Sequence, residues 1–326
     1  MTQEYFIAVD LGGTNIRSAL FSAQIPGILK RESVSTEAHR GVDDVMEIIH
    51  QTILKVMPED CGAVRGVGIG APGPVDPFRG ILIQGPNLPG WINVPVCERL
   101  EALLHIPVRL GNDANLAALG EWKFGAGRGE NDLIYLTIGT GIGGGIICGG
   151  RLLVGARGLA GEPGHITLVP DGPPCGCGGR GHLEAVASGT AIARRAREFL
   201  GEKNTSSLLR ELSGNDPARI DAKLVAAAAA QGDALARSIF EEAGTYIGRA
   251  VADMLALFNP GMVIFGGGVS RAGDLLLDPV RRGVNRFVMN PSFVQDLQIV
   301  RAQQLGDAGL YGGFVLAQNE RKSAGS

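Results

Sequence analysis

Residues 6–21 read FIAVDLGGTNIRSALF and residues 133–148 read LIYLTIGTGIGGGIIC. Laid over one another without gaps, both give an apolar run, a glycine turn carrying a threonine, and a second apolar run. Runs of that length flanking a tight glycine turn are strand–turn–strand signals. The offset from residue 6 to residue 133, 127 residues, is too long for a solenoid repeat and fits a duplicated half-chain.

Outward from the first copy, the run at 4–10 ends in Asp10, and further runs at 16–21 and 28–34 make three consecutive strands. Residues 42–57 then place Val42, Val45, Met46, Ile49, Ile53 and Val56 at helical spacing. A strand at 64–70 precedes a Pro/Gly-rich loop from Ala71 to Pro77; a helix at 95–104, a strand at 107–110 and a helix at 113–124 follow. After the second copy come helices near 185–199 and 221–258, the latter with five alanines at 226–230 that suit a helix interior. A buried strand at 262–266, the turn Gly266-Gly267-Gly268, a helix, a strand near 297–301 and a helix at 307–321 complete the chain, with a frayed tail expected from Lys322. Strands alternating with helices predict an α/β fold with a buried sheet in each half. The halves meet near Gly120–Gly129, giving an N-terminal lobe 1–120, joined by the C-terminal helix 307–326, and a C-terminal lobe 121–306.

Length and composition agree. At ~100–200 residues per domain, 326 residues suggest two domains. With 45% hydrophobic and 19% charged residues the chain can bury a large core and is not a disordered polymer. Glycine is the outlier, 50 residues against a usual share of ~7%, without a Gly-X-Y period, so collagen is excluded. A net charge of −3, no basic stripe and only 5% aromatics exclude nucleic acid and anionic membranes as partners. The tract Leu133–Cys148 is broken by five glycines and does not read as a membrane span, and no secretory signal precedes Phe6. Five cysteines, an odd count with Cys61, Cys97 and Cys148 isolated, then indicate reduced thiols in the cytoplasm.

There is no G-x-x-x-x-G-K-[ST]. The G-x-G-x-x-G at Gly139, Gly141 and Gly144, with Glu162 about twenty residues on, imitates a dinucleotide fingerprint. That fingerprint needs a helix after the glycines, and Gly145–Cys148 reads as a strand. Both turns together make a better phosphate site. Gly12 and Gly13 in one, Gly139 and Gly141 in the other, let backbone N–H groups approach a polyphosphate, while Thr14 and Thr140 add hydroxyls. Asp10, at the tip of a buried strand, suits Mg²⁺, which takes carboxylate and water. Separately, His165, Cys175, Cys177 and His182 put four soft or borderline donors within eighteen residues, a set that suits tetrahedral Zn²⁺ better than a disulfide. Asp113, in LGNDANLAALGE, stands where a strand passes into a helix, which points a side chain at the mouth of the sheet; Asn112 or Asp113 equally suits a helix N-cap.

DLGGTNIR at 10–17 and LTIGTGIGGGI at 136–146 resemble the two phosphate motifs of the sugar-kinase, hsp70 and actin fold. Glu162-Pro-Gly-His165 followed by Cys175-Gly-Cys177 resembles the signature of the ROK family of repressors, open reading frames and sugar kinases, a likeness running from residue 4 to about 315. The resemblance implies a two-lobed, duplicated actin-like ATPase fold with a ligand cleft between the lobes. It implies an enzyme that uses ATP and Mg²⁺ to phosphorylate a hexose, glucose at its 6-hydroxyl being the first expectation. N-acetylmannosamine, N-acetylglucosamine or fructose are alternatives, as is a donor such as polyphosphate. It assigns Asp113 as the base, and Asn87, Asn112, Glu162, His165 and Glu184 to the sugar, although Asn87 also suits a turn between prolines and Glu184 the first turn of a helix. It assigns Gly266–Gly268, in the run Val263–Ser270, to the adenosine. It makes the zinc structural, holding His165 and Glu184 in place. This chain departs from the family in having His182 where a third cysteine is usual, which removes one thiolate charge and leaves the fourth ligand open. A homodimer is the expected assembly. The family's DNA-binding repressors carry a helix-turn-helix before the first strand, for which nine residues ahead of Asp10 leave no room.

Overall fold

The computed structural model describes residues 3–201, 206–304 and 306–319. In chain order the first half contains β1 (Tyr5–Leu11), β2 (Asn15–Ser22), β3 (Ile28–Ser35), α1 (Val42–Val56), β4 (Val64–Ala71), β5 (Val75–Asp76), β6 (Ile81–Gln84), β7 (Ile92–Val94), α2 (Val96–Leu104), β8 (Val108–Asn112) and α3 (Asp113–Phe124). The remainder contains β9 (Leu133–Ile138), β10 (Ile142–Cys148), β11 (Arg151–Leu152), α4 (Leu183–Ala187), α5 (Gly189–Gly201), α6 (Leu208–Leu212), α7 (Ala222–Ala230), α8 (Ala234–Phe258), β12 (Met262–Gly266), α9 (Asp274–Phe287), β13 (Gln298–Arg301) and α10 (Ala308–Gln318).

The duplication is literal. One five-stranded sheet runs β3-β2-β1-β4-β8 and the other β11-β10-β9-β12-β13. In each, the leading hairpin is antiparallel and the next two strands are parallel to its first strand. Asp10 pairs with Gly70 in the first sheet as Thr137 pairs with Gly266 in the second. A small antiparallel sheet, β5-β6-β7, is inserted in the first half.

Alternation along each first strand assigns its faces. Ile7, Val9 and Leu11 join the core under α1 and α2, whereas Phe6 and Ala8 join the one made with Leu310 and Phe314 of α10. In the second sheet Ile134, Leu136 and Ile138 face the large helical core of α5, α7, α8 and α9, while Leu133 and Tyr135 pack with α3. So α10 covers one sheet as α3 covers the other, and the two helices meet between them. They approach closely: a Cβ at Gly120 would run into the Ala308 carbonyl, one at Gly312 into that of Leu116, and one at Gly68 of β4 into that of Gly313.

Differences from the sequence expectation have local causes. The helix expected at 185–199 is two, because Ser188 ends α4 in an extended conformation and its Oγ accepts the Ala191 N–H at 3.2 Å to start α5. The helix expected at 221–258 breaks at Gln231–Asp233, where Gly232 has φ +94° and Asp233 caps α8 through the Ala236 N–H at 2.7 Å. The strand expected at 107–110 runs on to Asn112, so Asp113 is the first helical residue. The final helix spans Ala308–Gln318; residues 320–326, which include the expected frayed tail, lie outside the described residues.

Candidate active site

The glycine turns join β1 to β2 and β9 to β10. Gly12 N donates to Asn15 O and Gly139 N to Gly141 O, each at 2.9 Å, and Thr14 and Thr140 stand exposed at the tips. The glycines are dictated by what lies against them. A Cβ at Gly13 would sit 2.7 Å from Asn87 Cβ, and one at Gly141 would strike the Glu184 carboxylate. Each turn is thereby pressed onto a residue that the family resemblance assigns to the sugar. In the Gly266–Gly268 turn, a Cβ at Gly266 would meet the Tyr135 hydroxyl, and Gly267 has φ +81° against the Ile138 backbone. These two are fixed by packing between β12 and β9, whereas Gly268 opens onto a cavity.

Asp10 lies half-buried and is held by Arg17, whose Nε donates to Oδ2 at 3.1 Å and whose Nη2 donates to the same oxygen. Sequence reasoning did not single out Arg17. The signal was present, since residues 10 and 17 face each other directly across the hairpin, where opposite charges attract. Nearby, Gly309 opens the first turn of α10 beside the carboxylate, its imagined Cβ 3.6 Å from Asp10 Oδ1.

Asn112 and Asp113 divide the roles their position allows. Asn112 Oδ1 accepts the Ala114 and Asn115 N–H groups at 3.0 and 3.1 Å and caps α3, while its Nδ2 donates to Gly73 O at 3.2 Å. Asp113 is half-buried and accepts the Ala114 N–H at 2.7 Å. Its carboxyl is pushed up from 3.8 to about 7, first by desolvation and then by the Asp10 charge, with Glu162 adding and the Ala114 N–H opposing. Glu162, which opens to solvent, is raised by partial desolvation, against which His165 acts and with which Glu184 acts. Glu184, in the first turn of α4, accepts the Ile142 N–H at 3.0 Å and the Cys175 thiol at 3.5 Å. The carboxylates of both halves thus lie close enough to feel one another's charge, and Gly13 packs against Asn87.

His165, Cys175, Cys177 and His182 also converge: one donor atom from each lies within 4.8 Å of the others. Cys175 Sγ is 3.8 Å from His165 Nδ1 and Cys177 Sγ 3.2 Å from His182 Nδ1. His182, left open by the sequence, thus lies with the other three donors. Gly179 makes room for its ring, since a Cβ there would meet the imidazole. Burial pushes the Cys175 thiol up to about 11.

Beyond the second turn lies a cavity of about 780 Å³, within the range of nucleotide-sized sites. Gly139, Thr140, Gly189, Thr190 and Gly268 line it, as do Lys223 and Arg271. The start of α5 is stapled to the turn, Gly189 N donating to Gly139 O and Thr190 Oγ1 to Thr140 O, both at 2.8 Å. A helix N-terminus at that point favours an anion. The sequence signal for it, Ser188-Gly189-Thr190, lay hidden inside what read as one continuous helix.

Two sheets of identical strand order, each offering a glycine turn to a shared cleft, define the two-lobed actin-like ATPase class that includes the sugar kinases. The chain belongs to the ROK family, whose model matches residues 6–320. It is 45% identical over 306 residues to a glucokinase of Thermotoga maritima, covering 94% of this chain and 95% of that one. It is 31% identical to an N-acetylmannosamine kinase of Salmonella typhimurium, over 96% and 98% of the two chains. Among solved structures, a ROK family glucokinase from Streptomyces griseus in complex with glucose and AMPPNP superposes with a TM-score of 0.82 at 38% identity, over 96% and 99% of the chains. A ROK family transcriptional regulator, a homolog of the E. coli MLC protein, superposes at 0.84 with 28% identity, over 96% of this chain and 77% of that one. No helix among the described residues is long and apolar enough to cross a membrane.

Proposed function

We propose that this chain is an ATP-dependent glucokinase, acting in the cytoplasm on glucose at the 6-hydroxyl. The observation that carries the reading is Asp113, a carboxyl held near 7 at the strand-to-helix junction, next to the Asp10 end of the first phosphate turn. The greater likeness to glucokinases than to an N-acetylmannosamine kinase supports glucose as the sugar.

Asn87, Asn112, Glu162, His165 and Glu184 take the sugar hydroxyls, for which carboxylates, amides and imidazole offer paired donors and acceptors. Asp113 accepts the proton of the attacking hydroxyl. The oxygen forms its bond to the γ-phosphorus as the bond from that phosphorus to the β-γ bridging oxygen breaks, and ADP leaves. Thr14, Thr140 and the backbone of Gly12, Gly13 and Gly141 grip the phosphates from both sides, with the nucleoside in the cavity lined by Gly268. Closure of lobes 1–120 (with the C-terminal helix) and 121–306 excludes water, which would otherwise take the phosphoryl group. Mg²⁺, when bound, neutralises the developing phosphate charge; the half-buried Asp10 carboxylate, with room left beside it by Gly309, fits it as a ligand. Zn²⁺ fits the two thiols and two imidazoles, where it would hold Cys175 as thiolate and pin the loop that carries His165 and leads to Glu184.

Coupled detection of ADP over a panel of hexoses tests the reading. Glucose-dependent turnover that falls about 10²–10⁴-fold in Asp113→Asn supports enzyme, sugar and base together. Turnover on N-acetylmannosamine, N-acetylglucosamine or fructose instead keeps the mechanism and replaces the sugar. No turnover on any of them, from folded protein with ATP and Mg²⁺, sinks the ATP-dependent kinase on these sugars in favour of another donor or a sugar-binding regulator.

A further inference from the structure

Glu121, in the last turn of α3, carries a carboxylate that is completely buried. Among the described residues no cation pairs with it; its partners are backbone N–H groups. Oε2 accepts from Ala126 at 2.9 Å and from Gln303 at 3.0 Å, and Oε1 accepts from Gln304 at 2.6 Å. Its own carbonyl accepts the Gly125 and Gly127 N–H groups at 3.0 Å. Ala126 lies on the stretch that carries the chain from α3 to β9, and Gln303 and Gln304 on the stretch that brings it back from β13 to α10. Those are the two crossings between the first sheet and the second. Gln304 ties them once more, Nε2 donating to Phe124 O at 2.8 Å. Gly125 is glycine because a Cβ would strike the same carboxylate.

We infer that Glu121 is a positioning residue for phosphoryl transfer: its carboxylate pins both crossings to the helix that starts at Asp113, and so sets where the nucleotide half meets the base. The inference rests on the kinase reading above. Residue 121 is eight positions from Asp113 on one helix, about 12 Å along its axis. The cavity assigned to the nucleotide is lined wholly by residues between Gly139 and Ala272, all within one half. Nucleotide affinity therefore does not depend on the pin, whereas alignment of the γ-phosphoryl group with Asp113 does. A carboxylate is required because every partner is a donor. Glutamine would offer one oxygen and turn an NH₂ toward an N–H.

The test compares Glu121→Gln and Glu121→Asp with the wild type in steady-state kinetics. The expected result is a KM for ATP within about twofold and a kcat reduced about 10–100-fold in Glu121→Gln, as for loss of reacting geometry alone. Glu121→Asp, which keeps two acceptor oxygens, should fall between. Unchanged kcat in a folded Glu121→Gln, a KM effect alone, or a poorer Asp than Gln variant overturns the inference. Hydrogen exchange on the unsubstituted protein decides the matter if the variants do not fold. The Ala126, Gln303 and Gln304 amides should be strongly protected, as should Gly125 and Gly127 on the Glu121 carbonyl, and exchange of the first three at the rate of unstructured amides overturns the pin. A wild type inactive on every sugar would fail the kinase reading, while the exchange experiment would still test the pin by itself.

Discussion

At the scale of single residues, Asp113 ties activity and stability to pH in opposite senses. As a base it works only when ionised, so kcat/KM should rise with pH through about 7 and fall off in acid below it. For stability, its folded-state value is raised above that of the unfolded chain. Its contribution is full below the ordinary carboxylate range, near 3.9, and is lost as pH rises through about 7. Asp113→Asn should therefore melt above wild type at pH 8, with the gap shrinking by pH 5.5. Melting curves at both values, beside a pH–rate profile, check the two together. Asp113's place at a strand-to-helix junction was legible, although that spacing by itself suits a helix cap. Glu121 was not, because a glutamate eight residues into an unremarkable helix reads as surface, and its partners lie in sequence both beside it and about 180 residues away.

At the scale of elements, the hairpins and long helices were legible because apolar periodicity specifies them: Val45, Met46, Ile49, Ile53 and Val56 are all buried on α1. The sheet β5-β6-β7 was not, since its strands of two to four residues sit among prolines and glycines and are held by pairing rather than pattern. The clustering of His165, Cys175, Cys177 and His182 was legible through donor spacing, and the structure adds what their loop touches. Glu184 links Cys175 to the N–H that follows the second glycine turn. Stripping the metal with a chelator, or replacing Cys177 by serine, should lower Tm by roughly 5–10 °C and raise KM for the sugar more than KM for ATP. Elemental analysis of the purified chain gives the accompanying zinc content. Equal KM effects, or none, would leave the loop a scaffold unconnected to the sugar.

At the scale of the whole molecule, two sheets linked along the chain by two crossings, with α3 and α10 in backbone contact between them, suit a jointed body. Small-angle scattering should show the radius of gyration falling when glucose and a non-hydrolysable ATP analogue are added together, and less with either alone. An unchanged radius would argue against lobe closure. Light scattering on the same samples tests the homodimer that the family suggests. The duplication was legible from two short stretches read in parallel, whereas the partnership of α10 with the first sheet was visible only once the chain had folded back.

That partnership has a consequence for synthesis. Phe6, Ala8, Ala19 and Phe21 present an apolar face that Leu310, Phe314 and Ala317 of α10 cover, with Ile28, Phe124 and Tyr311 packed against the cluster. On the ribosome Phe6 and Phe21 emerge long before Leu310 and Phe314, which lie far downstream in the chain. At about 5–20 residues per second the nascent N-terminal half waits many seconds with that face bare. The first sheet is thus closed over by α10, and a nascent-chain chaperone has a defined surface to guard until then.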